Sequence, residues 1–400
     1  MLYSRKKPKG FDERMKRSIE LLQKAEKLAL KYDADDGYYL AFSGGKDSQA
    51  LYHIATLAGV KFQAHMNFTS VDPPQVIRFV RKYYPDVITH APEKSIYQLA
   101  IEKGILPSMK IRWCCDDLKE SASAGKVTLI GIRKSESVRR SKRHEVEISN
   151  RKFSGDLDAF SEWQIKELEK REAKLRRKLK REGKKINEDE FSLRKDREVR
   201  CINGQDKILI SPIFEWTVRD VWYFLNEVVK VPHCELYDMG YTRIGCILCP
   251  MSQHKQKILE MKDFPHVKQN WIKAIKAIRR GGGNLCRRIY LVEYPSQRTC
   301  TKSQWNAQKL GGWINNPDKK AWGIGIEKPT AAFGQGFLDS PSVKISTEGL
   351  NEEDVIAENI FDWWVSGKSY NRWYADKFMQ LKIDFDEQSH LNDNVTLFDI

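Results

Sequence analysis

The polar and apolar positions alternate between two periods along the first half of the chain. Residues Asp12 to Tyr32 place Ile19, Leu22, Ala25, Leu28 and Leu30 on most of one face, which predicts an amphipathic helix. A short apolar run, Tyr38-Tyr39-Leu40-Ala41-Phe42, predicts a buried strand. Val60 to Phe68, Val87 to His90, Val127 to Ile132 and Ile208 to Ile213 predict four more, and Pro73-Pro74 opens a helix over Gln75 to Tyr83. Val127-Thr128-Leu129-Ile130 is apolar or β-branched throughout, as a strand covered on both faces should be. Strands and helices at this pitch predict a doubly wound α/β domain with a parallel sheet and ligands at the carboxyl ends of its strands.

Two stretches break that pattern. Between the fourth and fifth strands, residues 151–200 form a charged helical insertion, in which Ile165, Leu168, Leu175 and Leu179 keep a narrow apolar stripe. From Lys166 to Lys185 there are eleven basic residues against four acidic. Balanced charge would indicate a solvated helix, whereas this excess also suits contact with a nucleic-acid backbone. After Lys255–Arg280, predicted helical, Gly281-Gly282-Gly283 interrupts, and residues 284–350 have little periodicity. Helices are predicted again over Glu352–Trp364 and Tyr370–Met379, with Trp363, Trp364, Tyr370, Trp373, Tyr374 and Phe378 as core or interface aromatics. Ser366-Gly367-Lys368-Ser369 has Asp362 where a Walker loop needs glycine, and is discounted. The expected organisation is a helix over 1–35, a sheet domain over 36–250 and a helical region over 251–400.

Composition adds three constraints. The net charge of +15 favours a polyanionic partner. No apolar run approaches the ~18 residues of a membrane span and no charged-then-apolar leader opens the sequence, so a cytoplasmic protein is expected. Eight cysteines in that compartment suit metal ligation or reactive thiols better than disulfides.

The chemistry concentrates first at Ser43-Gly44-Gly45-Lys46-Asp47-Ser48, directly after the first strand. Adjacent glycines let backbone amides converge on an anion at the positive end of a helix dipole. Lys46 adds charge, Ser43 and Ser48 add hydroxyls, and Asp47 suits magnesium bound beside phosphates. Cys114-Cys115 and Cys246-x-x-Cys249 supply four thiolates, suited to a 4Fe–4S cluster, preferred here, or to tetrahedral zinc. The Cys114-Cys115 step reads as a strained turn. Cys201 and Cys234 are second-choice ligands. Cys286 and Cys300, flanked by Arg287, Arg288 and Arg298, read as structural cysteines or, less simply, as sulfur-carrying thiols.

These residues resemble the ATP-pyrophosphatase and phosphoadenosine-phosphosulfate (PAPS) reductase superfamily in four ordered motifs. They are the Ser-Gly-Gly-Lys-Asp-Ser loop, Gly131-Ile132-Arg133 with Glu136-Ser137 and Arg139, Trp216-Thr217 with Asp220-Val221-Trp222, and Tyr237 with Gly240-Tyr241 before the second cysteine pair. The resemblance implies a PP-loop that grips the β- and γ-phosphates of ATP, with Arg133 and Arg139 facing the nucleotide. Cys-Cys with Cys-x-x-Cys is similar to the cluster ligands of adenylyl-sulfate (APS) reductases. Those reductases carry a C-terminal nucleophilic cysteine and a degenerate loop. Here the loop is complete and no cysteine follows Cys300. The resemblance therefore implies an ATP pyrophosphatase that adenylates an acceptor for sulfur transfer, closest in logic to DNA-phosphorothioation or tRNA-thiolating enzymes. Its implied partners are DNA or tRNA and a cysteine desulfurase or other sulfur donor, with no membrane partner. The alternatives are an APS or PAPS reductase and a non-catalytic nucleotide-sensing regulator that binds nucleic acid.

Overall fold

The computed structural model describes residues 6–109, 111–149, 153–185, 206–280 and 352–368. They fall into two compact units. The first takes its residues from Met1–Pro92 and Cys115–Gly245, the second from Glu93–Cys114 and Cys246–Ile400.

The first unit is a seven-stranded sheet in the order β3-β2-β1-β4-β7-β5-β6. β1 (Tyr38–Ala41), β2 (Phe62–Asn67), β3 (Ile88–His90), β4 (Val127–Leu129) and β7 (Ile208–Ile210) run parallel. β5 (Val146–Ile148) and β6 (Ser154–Gly155) form an antiparallel hairpin at one edge, β5 pairing antiparallel with β7. The doubly wound α/β fold is thus present, with two strands that the sequence pattern did not suggest. They are too short, and too charged around Glu147, to register as alternation. β1 lies between β2 and β4, so the chain leaves it where the crossovers change direction, the usual position for a ligand crevice.

Local chemistry sets the helices. α1 (Phe11–Tyr32) buries Phe11, Ser18, Leu21, Leu22, Ala25 and Ala29, while Ile19, Leu28 and Leu30 of the expected face are only half-buried. The face rotates because Ser18 is a bonding residue. Its hydroxyl donates to the Pro212 carbonyl (2.6 Å) and accepts from the Trp216 indole N–H (3.0 Å). α2 (Lys46–Ala58) ends at Gly59, whose φ of 67° suits a glycine. α3 (Pro74–Tyr83) begins on a proline and buries Val76, Phe79 and Val80. The basic helix Leu157–Arg181 follows β6, its N-terminus capped by Asp156. Among the described residues, no helix is long and apolar enough to cross a membrane.

A buried ion pair fastens α1 to the chain beyond β7. Arg14 donates to both carboxylate oxygens of Asp220, through Nε (3.1 Å) and a terminal nitrogen (2.7 Å), and the Asp220 side chain is fully buried. Asp220 also accepts from the Thr217 amide (2.6 Å), closing a capping box at the helix Val218–Tyr223. Phe11 packs edge-on against Trp216 at 5.6 Å. The Trp-Thr-x-x-Asp segment is therefore structural, as expected of a Thr-capped helix.

The second unit, among its described residues, is helical. Ile96–Lys103 carries a Ser95/Gln98 capping box. The run expected as one helix over Lys255–Arg280 divides at Phe264, because Pro265 opens a new helix: His254–Asp263 is followed by Pro265–Arg280. Glu352–Ser366 completes it, with Trp271 between Tyr97 (4.9 Å) and Trp364 (4.8 Å). The helix expected over Tyr370–Met379 lies outside the described residues.

Replacing Asp220 with Ala should leave the Thr217 cap but remove the reciprocal half of the capping box and the carboxylate partner of Arg14, at a cost of about 2 kcal/mol. Asp220→Asn, which keeps hydrogen bonding, should cost less. Urea midpoints of the two variants measure this, and equal midpoints would contradict the buried pair's role.

Candidate active site

The site is built where β1 ends. After Phe42, Gly44 takes a φ of 69°, and a Cβ there would stand 2.7 Å from Val76 Cγ1 and 2.9 Å from Val80 Cγ2 on α3. Both its conformation and its lack of a side chain are required, so the chain turns tightly against α3 and enters α2 directly. The hydroxyls lock this turn. Ser48 donates to the Gly45 carbonyl (2.9 Å), and its oxygen lies 3.1 Å from the Ser43 amide and 3.2 Å from the Ser43 hydroxyl. The Lys46 amide, in the first turn of α2, donates to the Tyr237 hydroxyl at 2.7 Å.

Charge gathers at the same helix end. The buried Lys46 ammonium donates to Asp47 Oδ2 (3.2 Å) and to the Thr242 carbonyl (3.3 Å). Arg133, also buried, donates through Nε to Asp47 Oδ1 at 2.7 Å. The Gly131 position makes that reach possible: a Cβ there would lie 3.0 Å from the Asp47 carbonyl oxygen. Arg140 is paired with Glu136, and with Arg243 it adds to the positive field.

Burial, then repulsion from Arg133 and Arg243, pulls the Lys46 ammonium below its ordinary range, Asp47 acting in the opposite sense. Burial likewise brings Arg140 down to about 10, with Arg243, Arg143 and Arg133 adding to the effect. Burial pushes the Tyr237 phenol up, so it stays protonated. Lys46, Arg133, Arg140 and Arg243 thus gather their positive charge beside the loop, with Asp47 and Glu136 as their acidic partners. Such a place favours an anion with several negative oxygens.

Six predicted loop residues, Ser43 to Ser48, and Arg133 are therefore brought together. Arg139 is exposed on the short helix Val138–Ser141, while its neighbour Arg140 joins the charge cluster. A one-residue difference on a four-residue helix is beyond a sequence pattern. Thr242, Arg243 and the hydroxyl of Tyr237 were also not assigned chemistry. They lie almost two hundred residues downstream, and only the Tyr-x-x-Gly-Tyr spacing hinted at them. Both Asp47 oxygens are engaged by cations of the chain, and this differs from a carboxylate held ready for magnesium.

The cysteines are distributed otherwise. Cys114 and Cys115 are half-buried in a helical turn, Trp113–Cys115, continuous with a wider turn over Asp116–Glu120, where a strained turn was expected. Cys246 and Cys249 are half-buried in the second unit, with Leu248 between them at a φ of 57°. The Leu248 amide donates to the buried Glu260 carboxylate (2.6 Å), which holds this tight turn. None of the four is in a disulfide, and thiols of this kind have the chemistry for a soft metal centre. Among the described residues, however, no three Cys, His, Asp or Glu side chains gather as a metal-ligand set. Cys234 is fully buried in the first unit, where burial raises its thiol, and Cys201, Cys286 and Cys300 lie outside the described residues.

Comparison with known proteins places this site in context. The family model of the phosphoadenosine phosphosulfate reductase domain matches residues 37–252, from the start of β1 to just beyond Cys249. An uncharacterized protein of Methanocaldococcus jannaschii is 23% identical over 286 residues, 68% of this chain and 56% of that protein. A probable FAD synthase of Caenorhabditis elegans is 50% identical over 36 residues, 9% of this chain and 7% of that protein. An adenosine 5′-phosphosulfate reductase of Geobacillus thermodenitrificans is 38% identical over 56 residues, 13% of this chain and 23% of that protein. The chain spans about half the length of the first of these relatives and smaller shares of the others. With more than half of its residues matched, and the glycine loop and its arginine clamp inside the matched span, the chain belongs to the phosphoadenosine phosphosulfate reductase domain family.

Proposed function

We propose that this chain is an ATP pyrophosphatase of its family, which adenylates a nucleic-acid acceptor for sulfur transfer. The observation that supports it is the complete Ser43–Ser48 loop, held at a helix N-terminus beside the buried cations Lys46 and Arg133. The β- and γ-phosphates of ATP would seat on this loop, and Lys46 would face the leaving pyrophosphate. An acceptor oxygen attacks the α-phosphorus and the bond to the α–β bridging oxygen breaks. That bond's electron pair leaves with pyrophosphate, and the acceptor's proton passes to water. Arg133, steered by Asp47, and Arg140 would offset charge on the α-phosphoryl oxygens as it develops. Arg139, being exposed, suits the incoming acceptor better than the phosphates.

Magnesium would supply further neutralisation and would be held mainly by the phosphates, because Asp47 is engaged by Lys46 and Arg133. A 4Fe–4S cluster, preferred over zinc, would require Cys114, Cys115, Cys246 and Cys249 to converge, since among the described residues no three such side chains gather as a ligand set. Such a cluster supplies iron and sulfide chemistry for sulfur handling. The sulfur itself would come from a cysteine desulfurase or comparable donor.

A second reading, reduction of APS or PAPS to sulfite, is favoured by the names of the short-range relatives. The two differ in products. AMP and pyrophosphate formed from ATP in the presence of DNA or tRNA is the expected result. Sulfite formed from PAPS with no ATP cleavage would replace the proposal with the reductase. Lys46→Ala should lower ATP cleavage by about 100-fold with the fold retained, and a protein without turnover, a sensor, would have no cleavage to lose. Anaerobic purification followed by iron and sulfide assay tests the metal centre. Iron and sulfide should be present, and Cys246→Ser with Cys249→Ser should lose them. Their absence from the unaltered protein would remove the cluster from the proposal.

A further inference from the structure

The helix Leu157–Arg181 has two sides of different character. Leu175 and Leu179 are buried, with Leu168 packed against them. At roughly 100° per residue, Lys166, Lys170, Lys174, Arg177, Lys178 and Arg181 fall within an arc of roughly 120° on the other side, and all six are exposed. The one acidic residue in that arc, Glu167, is paired with Arg171 at 3.0 Å, and Glu172 is paired with Arg176 at 3.2 Å. Glu167 and Glu172 are thus held in pairs along the helix, and among the described residues the outward arc carries nearly uncompensated positive charge over about 22 Å.

We infer that this arc is a docking surface for the phosphate backbone of duplex DNA, without sequence preference. Charge complementarity supplies the attraction, since a DNA duplex presents about one negative charge per 1.7 Å of axis. Apart from the paired Glu167, the arc between Lys166 and Arg181 carries cations, with no Asn or Gln to read base edges. Between Lys166 and Arg181 there is no Phe, Tyr, Trp or His. Trp163, one turn before Lys166, is half-buried against Phe153 and Phe160, so a single strand, which is gripped largely by stacking its bases on aromatics, meets no fully exposed aromatic platform on this helix. The B-form major groove admits an α-helix, whereas the A-form major groove is too narrow and deep. The inference deepens the proposed reaction by naming its acceptor class, and its link to catalysis rests on that reading. Binding itself requires no turnover.

The test uses the full chain and the quadruple variant Lys166→Gln, Lys170→Gln, Lys174→Gln and Arg177→Gln. All four positions are exposed and glutamine is a good helix former, so the fold should hold by circular dichroism. A second variant, Lys170→Glu with Lys174→Glu, reverses charge at two positions and serves if the first does not fold. Fluorescence anisotropy with a DNA duplex of arbitrary sequence, its single strand and the matching RNA duplex is recorded over a range of salt. The unaltered chain should prefer the DNA duplex. The quadruple variant should lose roughly tenfold or more in affinity, and the slope of log K against log salt should fall by about 3 to 4. An unchanged slope and affinity would overturn the inference, as would a preference for single strands or equal binding of the RNA duplex. ATP cleavage, measured without nucleic acid, should be unchanged. Lost DNA binding with no cleavage in either protein supports the surface while refuting the pyrophosphatase, and the reverse pattern refutes the surface alone.

Discussion

The Asp47 carboxylate, held between Lys46 and Arg133, is the interaction on which the first unit's site depends. One aspartate at the start of α2 draws two buried cations from different parts of the chain to the end of β1. Without it, two positive groups would face each other with little solvent to separate them. With it, the pair is held. The glycines serve this arrangement: Gly44 permits the turn against α3, and Gly131 lets the strand exit carrying Arg133 pass close to the Asp47 backbone. The family's glycines and its arginine are thus parts of a single geometric requirement.

The sheet provides the frame. β1 is flanked by parallel neighbours whose ends define the crevice, and α1 is tied to the segment after β7 by Arg14–Asp220 and the Ser18 hydroxyl bridge. Residues far apart in sequence thereby close the sheet unit around the site. The Trp-Thr-x-x-Asp stretch ties α1 to the sheet unit while the loop gathers charged groups at the end of β1, so two equally recognisable motifs have different structural places.

Much of this was legible in the residues. Strand positions, the loop and its cradle follow from apolar runs, adjacent glycines and the charges beside them. Three kinds of feature were not legible. Short edge strands such as Val146–Ile148 lack enough residues to show a period. The rotation of α1 arises from one serine whose partners lie some two hundred positions away. That Arg140 lies in the charge cluster while Arg139 is exposed depends on a single helical turn that composition cannot orient. Likewise, Cys-Cys and Cys-x-x-Cys are plain as words in the sequence, yet whether four thiols converge is a property of tertiary structure. In each case the missing information is long-range, while the pattern being read is local.

The Tyr237 hydroxyl on the Lys46 amide has a consequence for selectivity. A buried phenol that remains neutral satisfies a helix-start amide which would otherwise seek an anion. Any ligand drawing on that amide must displace an oxygen already in place. A neutral hydroxyl or amide would exchange like for like and gain little. A phosphate oxygen forms a charge-assisted bond, roughly twice as strong, and also relieves the crowded cations. On the proposed reading the tyrosine would act as a threshold, keeping the cradle closed to weak acceptors and yielding to a polyanion.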